Sequence, residues 1–198
     1  MAHPLFIFNL LLGVLLTTAP TAHARTGAAA ETISSGLAQL SETYNTYAED
    51  GLAIDYPSGW RIERPSQQSI RLMNYDPIAP LTEVSAPIKT EIWLIDENPA
   101  VVVGRELDTL QQEQAQVNRY RVVTVDQQSG IRIWLGGLTG DFSHAIKTYV
   151  GYGDRQTVMI VSHYASPGEA DEAAAIEIEA AVLRIHDSFK KLAIADES

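Results

Sequence analysis

The feature that most constrains this sequence is an apolar stripe near its C-terminal end, within residues 170–192. Its members are spaced four, three, four and three residues apart, which places them on one side of an α-helix. They are Ile178, Val182, Ile185, Phe189 and Leu192. Acidic residues at the start of this segment, with Lys190 and Lys191 near its end, suit the helix dipole. Such a helix must bury its stripe, so the rest of the chain has to supply an apolar surface.

That surface is predicted to be a β-sheet, because the preceding sequence consists of short β-rich runs separated by turn residues. The predicted strands lie within 44–56, 60–62, 70–76, 88–95, 122–125, 131–135, 144–152 and 156–165. Turns are predicted at Pro57-Ser58-Gly59, Ser129-Gly130 and Gly153-Asp154, where Pro fixes φ or Gly accepts a positive φ. The first of these turns is expected to close a hairpin with Trp60. Hairpin connections predict a largely antiparallel sheet.

A second helix is predicted to begin at Asn98-Pro99, with Asn98 as the N-cap and Pro99 in the first helical position. Its expected stripe consists of Val103, Leu107, Leu110 and Val117. Each amphipathic helix must cover a face of the sheet. The sequence therefore predicts an α+β fold, an antiparallel β-sheet flanked by helices.

The N-terminal segment has the pattern of a secretory signal peptide. Residues 5–16 are almost entirely apolar, a run too short to span a bilayer but typical of a signal sequence. Ala22-His23-Ala24 then provides the small-x-small pattern of a cleavage site. We expect a signal peptide at 1–24, the alternative being an uncleaved membrane anchor. The rest divides into a linker or short helix at 25–40, one folded domain at 41–192 and a C-terminal tail at 193–198.

Composition narrows the possible functions. The chain has 14 Lys and Arg against 25 Asp and Glu, a formal net charge of −11. A surface this negative repels phosphate backbones, so nucleic acid is not an expected partner. The chain has no Cys, which excludes disulfides, thiolate metal sites, a Cys nucleophile and a lipid anchor on Cys. If the protein works at a membrane, we therefore expect peripheral association, held by protein contacts or by cations that bridge its negative surface.

One segment resembles a known family. Gly51-Leu52-Ala53-Ile54-Asp55-Tyr56-Pro57-Ser58-Gly59-Trp60 is similar to the opening motif of the PsbP family, the extrinsic proteins of photosystem II and their relatives. The order of the later elements is also similar, up to Ile185-His186-Asp187-Ser188-Phe189-Lys190, so the resemblance extends over roughly residues 44–192. It implies a PsbP-like α/β sandwich located in the thylakoid lumen or periplasm.

The same resemblance implies a non-catalytic role. The expected partners of the protein are membrane subunits of the photosystem, at its oxygen-evolving complex. The protein is expected to bind them as a monomer, with calcium or another metal ion associated. One alternative is a periplasmic binding or stress-related module of the same fold without a photosystem link. Another is a metal-dependent or serine hydrolase.

The residues themselves indicate one candidate metal site. If the turn after Tyr152 has two or four residues, Tyr152 pairs with Arg155 and His144 lies directly opposite His163, with Cβ atoms about 5 Å apart. Two imidazoles at that distance can share a divalent ion such as calcium, zinc or manganese, with Asp141 as a carboxylate ligand. The alternative is two hydrogen-bonded histidines at a strand end. A turn of three or five residues removes the pairing.

Other polar motifs favour structure over catalysis. Adjacent Ser143 and His144 are expected on opposite sides of a strand, which separates a nucleophile from its base. Gly-rich 136–140 has no following Lys-Ser or Lys-Thr and is interpreted as a loop or bulge. His186-Asp187 is predicted to face solvent. The three tryptophans are predicted to be core or sheet-face residues; they are Trp60, Trp93 and Trp134.

Overall fold

The structure is a computed structural model that describes residues 43–49, 51–81, 86–165 and 171–192. The predicted signal peptide at 1–24, the linker at 25–40 and the tail at 193–198 lie outside the described residues. None of the helices that the structure describes is long and apolar enough to cross a membrane.

Ten strands and two helices make up the described part of the chain. The strands are β1 Tyr44–Glu49, β2 Leu52–Pro57, β3 Arg61–Ser66, β4 Ser69–Met73, β5 Ile88–Ile95, β6 Gln116–Val125, β7 Gln128–Gly136, β8 His144–Tyr152, β9 Gln156–Tyr164 and β10 Lys190–Lys191. The helices are α1 Pro99–Gln112 and α2 Glu172–Ser188. All strand pairings in these residues are antiparallel. The fold is α+β, as the sequence predicts.

The strands form two sheets, of orders β1-β2-β10 and β3-β4-β5-β9-β8-β7-β6. The hairpin predicted around Pro57-Ser58-Gly59 is therefore wrong, because β2 pairs with β1 and β3 pairs with β4. The turn itself exists, with Gly59 at a φ of 84°, but it carries the chain from one sheet to the other. Turn residues specify a change of direction, and pairing is decided by what each strand buries.

The two helices cover opposite faces of the seven-stranded sheet. Adjacent residues of a strand point to opposite faces. On β7, Trp134 belongs to the core cluster that contains Ile178 and Ile185 of α2. Its neighbour Ile133 belongs to the cluster that contains Val102 of α1. The prediction that each helix covers one face is confirmed.

The helical stripes are shorter than predicted. Helix α2 ends at Ser188, so Leu192 lies beyond it and is exposed, although Phe189 at its C-cap is fully buried. Helix α1 begins at Asn98-Pro99 as predicted and ends at Gln112. Val117 therefore lies on β6. Leu107 of α1 is exposed, and the buried residues of that helix are Val102 and Leu110.

The turn predicted at Ser129-Gly130 is also wrong, since both residues lie within β7. The chain reverses instead at Asp126 and Gln127, with φ angles of 50° and 61°. Gly130 is required for another reason. A Cβ added there would collide with the backbone carbonyl oxygen of Tyr149 on the neighbouring strand.

His186 lies on the buried side of α2, so the prediction that it faces solvent is wrong. Its Nε2 shares a hydrogen bond of 2.8 Å with Ser162 Oγ, and its Nδ1 shares one of 2.8 Å with Thr148 Oγ1. Ser162 Oγ in turn lies 2.6 Å from Thr90 Oγ1. Burial, with the nearby charge of Arg132, holds the pKa of His186 well below its usual value. The ring is therefore neutral in the folded protein.

Arg132 on β7 completes this polar chain. Its side chain is 0% exposed, while that of Asp187 is 54% exposed. Its Nε donates to Thr148 Oγ1 at 2.8 Å, and its Nη2 donates to Asp187 Oδ1 at 2.6 Å. A buried guanidinium without a carboxylate partner is strongly destabilising. The adjacent residues His186 and Asp187 thus tie the C-terminal end of α2 to the middle of the sheet.

Asp187→Ala is expected to lower the free energy of unfolding by about 2 kcal/mol, because it leaves the Arg132 guanidinium buried without its carboxylate. Asp187→Asn keeps the acceptor oxygen and is expected to lose less. Urea denaturation of both variants measures the difference. An Asp187→Ala variant as stable as the wild type would contradict the role assigned to this ion pair.

Stability is also expected to depend on the charge of His186. Its pKa in the unfolded chain is about 6.5, and the folded value is lower. Its contribution to stability is therefore complete above about pH 6.5 and is lost as the pH falls towards the folded pKa. The unfolding free energy should drop by up to about 1.4 kcal/mol per pH unit in that window.

The measurement is denaturation at several pH values from about 7.5 to 5.5. His186→Gln is expected to flatten the dependence. His163→Gln is the matched control, since burial and the charge of Lys89 lower the pKa of His163 to a smaller extent. A His186→Gln variant with the wild-type slope would show that His186 does not titrate in this way.

Candidate functional site

A cleft of about 300 Å³ lies between the N-terminal half of α2 and strands β6 to β9. It is lined by Asn118, Arg119, Trp134, Leu135, His144, Tyr164, Ala175 and Glu179. Strand pairing places the main groups, since Arg119 lies opposite Trp134 and His144 lies opposite Tyr164. The cleft thus lies on the sheet face that packs against α2, next to the N-terminal half of that helix.

An arginine, a tryptophan and a carboxylate form one wall of this cleft. Glu179 of α2 accepts a hydrogen bond from Trp134 Nε1 at 3.2 Å and is ion-paired with Arg119. The Arg119 guanidinium carbon lies 4.2 Å from the centroid of a Trp134 ring, and that of Arg121 lies 5.3 Å away. The Arg119 side chain is 55% exposed, so a partner can reach it.

Two aromatic rings form another wall. The rings of His144 and Tyr164 are stacked, with centroids 5.6 Å apart and planes inclined by 21°. Burial, together with the charge of Glu179, raises the pKa of Tyr164 to about 12. Its hydroxyl therefore stays protonated. Trp, Tyr and Arg are the residue types that dominate binding energy at protein interfaces, so this arrangement is suited to recognition.

The prediction that His144 faces His163 is wrong. The turn between β8 and β9 has three residues, because Tyr152 pairs with Gln156. His163 consequently lies opposite Ala145, and His144 lies opposite Tyr164. This shift of one residue sends the two imidazoles to opposite faces of the sheet.

His163 lies on the α1 side of the sheet, where its ring is 6.1 Å from that of Phe142. Burial and the charge of Lys89 lower its pKa, and its Nδ1 is buried without a hydrogen-bond partner in the described structure. Asp141 is exposed in the segment before β8. Within residues 43–49, 51–81, 86–165 and 171–192, no three His, Cys, Asp or Glu side chains are grouped to hold a metal ion. The predicted set of His144, His163 and Asp141 is not brought together.

Ser143 and His144 do meet, contrary to the prediction from alternation. Ser143 Oγ lies 2.9 Å from His144 Nδ1, because Ser143 precedes β8 and is not subject to strand alternation. A working serine nucleophile also needs a group that orients the second ring nitrogen and donors for an oxyanion. Besides its contact with Ser143, the His144 ring stacks on Tyr164, a contact that suits binding.

Sequence reasoning missed Arg119 and Glu179. The strand predicted at 122–125 begins at Gln116 in the structure, which brings Arg119 onto the sheet. A signal was present for Glu179, which follows Ile178 directly and therefore lies at the edge of the α2 stripe.

No family model matches the chain, and no curated protein matches it. Among solved structures, the chain is similar to cyanobacterial PsbP (CyanoP) from Synechocystis sp. PCC 6803, with 15% identity, coverage of 75% of this chain and 92% of that one, and a TM-score of 0.48. It is also similar to LpqN of Mycobacterium tuberculosis, described as involved in cell envelope biogenesis, with 13% identity, coverage of 76% and 91%, and a TM-score of 0.49. The human StarD13 (DLC2) lipid transfer and protein localization domain shares 13% identity, with coverage of 68% and 90% and a TM-score of 0.32. These likenesses concern the fold and assign no function.

Cysteine pairs can test the register that separates the two histidines, since the chain has no cysteine of its own. Ala145→Cys with His163→Cys is expected to form a disulfide, because directly opposite residues have Cα atoms about 4.5–5.5 Å apart. His144→Cys with His163→Cys is expected to stay reduced, since its side chains point to opposite faces. Thiol titration of the unfolded proteins after mild oxidation gives the answer. The reverse pattern would mean that the two histidines face each other across the hairpin.

Proposed function

We propose that this protein is an exported, non-catalytic PsbP-like module that binds photosystem II on the lumenal side of the thylakoid membrane. In this proposal it assembles or stabilises the photosystem through protein–protein contacts and associates only peripherally with the membrane. The observation that carries the binding role is the exposed Arg119 stacked on Trp134 and paired with Glu179. This is recognition chemistry positioned at an accessible cleft.

Two sequence features support the location and the partner. The leader at residues 1–24 has the pattern of a signal peptide, which supports export. The segment from Gly51 to Trp60 resembles the opening motif of PsbP proteins, which supports a photosystem as the partner. In the structure this segment has a core role, with Ile54 and Trp60 in the same cluster as α2.

The net charge of −11 defines how such a module approaches its target. An acidic surface favours a basic surface on the partner, or divalent cations such as calcium between the two surfaces. The arginines of β6 are a local exception to this negative charge, and they suit an acidic part of the partner. The proposal thus involves two contacts of opposite charge, both of which high salt should weaken.

Co-purification tests the proposal. The tagged full chain, produced in its native host, is expected to be recovered with thylakoid membranes and photosystem II subunits and to be released by salt. Arg119→Gln is expected to weaken recovery about tenfold, the effect of losing one interface residue of moderate strength. Arg155→Gln in the exposed β8–β9 turn is the matched control and should bind normally.

Recovery with cell-envelope proteins in place of photosystem subunits would overturn the photosystem assignment and favour the periplasmic module. A hydrolase activity that Ser143→Ala abolishes would overturn the non-catalytic assignment. Recovery of Arg119→Gln at the wild-type level would remove the cleft from the binding surface.

A further inference from the structure

Strand β6 forms one edge of the seven-stranded sheet. Within the described residues, β7 is the strand that pairs with it, and its other side has no strand beside it. Such an edge presents a row of backbone N–H and C=O groups that can pair with an added strand. The ladder shifts between Val117 and Arg119, so the regular part of the edge begins at Arg119. It continues to Val125, which is long enough to hold an extended peptide.

The α2 side of this edge carries two arginines in its N-terminal half. Arg119 lies opposite Trp134, and Arg121 lies opposite Arg132, both of which face α2. Arg119 and Arg121 are exposed, and β6 contains no acidic residue. In a chain with a net charge of −11, this stripe is a local reversal of sign. It is complementary to carboxylates.

The α1 side of the same edge is apolar. Tyr120 lies opposite Ile133 and Val122 lies opposite Ile131, and both partners belong to or pack on the core cluster beneath α1. Tyr120 is nevertheless 74% exposed and Val122 is 79% exposed. Large apolar side chains beside an unpaired edge favour further burial by an added strand.

The arginines disfavour one arrangement, in which a second copy of β6 pairs with the first about Tyr120. Antiparallel pairing of two copies about Tyr120 would place Arg119 of each copy opposite Arg121 of the other. Like charges that are directly opposite in a sheet are destabilising. The same arginines favour a strand that carries acidic residues. The edge therefore discriminates between partners by charge.

We propose that the edge from Arg119 to Val125 binds an extended acidic segment of a partner protein by adding it to the sheet as a further strand. Because side chains alternate between faces, the bound segment alternates in character. Its acidic residues lie on the α2 side beside Arg119 and Arg121. Its apolar residues lie on the α1 side beside Tyr120 and Val122. This inference rests on the proposed function, for which it names one contact.

Two synthetic peptides test the edge directly, one alternating Glu with Val and the other alternating Lys with Val. Each is titrated into the 15N-labelled protein at low and high salt. The Glu peptide is expected to shift the amide signals of residues 119–125, to saturate, and to weaken as salt is added. The Lys peptide is expected to bind at least about tenfold more weakly. Equal affinities, or shifts confined to other elements, would overturn the proposal.

Variants localise the two halves of the interaction. Arg121→Glu is expected to reverse the preference between the peptides, whereas Arg155→Glu makes the same change of net charge in a distant turn and should preserve it. Val122→Thr is expected to weaken both peptides, with the exposed Val101→Thr on α1 as its control. If Arg121→Glu does not fold, Arg121→Gln should reduce the preference for the Glu peptide. An unchanged preference in a folded Arg121 variant would contradict the proposal.

The outcome separates this inference from the proposed function. If the Glu peptide does not bind while photosystem subunits still co-purify, the edge is the wrong contact and the proposed function stands. If the peptide binds as expected but no photosystem subunit co-purifies, the edge is a docking site for a different acidic partner and the photosystem assignment fails.

Discussion

The buried guanidinium of Arg132 is the constraint on which the rest of the structure depends. It lies on the sheet face beneath α2 and is 0% exposed, so it requires a carboxylate within reach. Asp187 supplies that carboxylate, and its neighbour His186 is hydrogen-bonded to Thr148 and Ser162 on the two adjacent strands. These contacts fix both the rotation of α2 and its position along the sheet. A helix held only by apolar contacts would be less strictly fixed in its rotation and in its position along the sheet.

Fixing the C-terminal end of α2 also determines where its N-terminal half lies. Ala175 and Glu179 are placed over the strand ends and become one side of the cleft. Glu179 then holds Trp134 through its indole N–H and pairs with Arg119 on the edge strand. Helix α2 thus contacts the polar residues of the core through its C-terminal end and the candidate binding surface through its N-terminal half. The neutral state of His186 is part of the same arrangement, because a charged ring there would oppose Arg132.

The sequence was sufficient for the fold class, because both helices and the strands β5, β8 and β9 follow from periodicity, capping and turn residues. It was insufficient for the candidate metal site, which depended on whether the turn after Tyr152 had two residues or three. One residue reverses every facing pair in the hairpin, and Gly153-Asp154 is compatible with either length. His186 was placed in solvent because its hydroxyl partners, Thr148 and Ser162, are distant in the sequence. Periodicity indicates which residues are polar and which are apolar, but it does not reveal hydrogen-bond partners that lie on other strands.

Arg119 connects the cleft with the edge, because it lines the first and begins the regular part of the second. A carboxylate on an added strand would compete for this guanidinium with Glu179, which is ion-paired with Arg119 and also accepts a hydrogen bond from Trp134 Nε1. Within the described residues Arg121 is not ion-paired with a carboxylate and lies over the Trp134 ring, so it should carry more of the selectivity for acidic segments. Strand addition then gains affinity mainly from backbone pairing and the burial of Tyr120 and Val122. The arginines determine which segments are accepted.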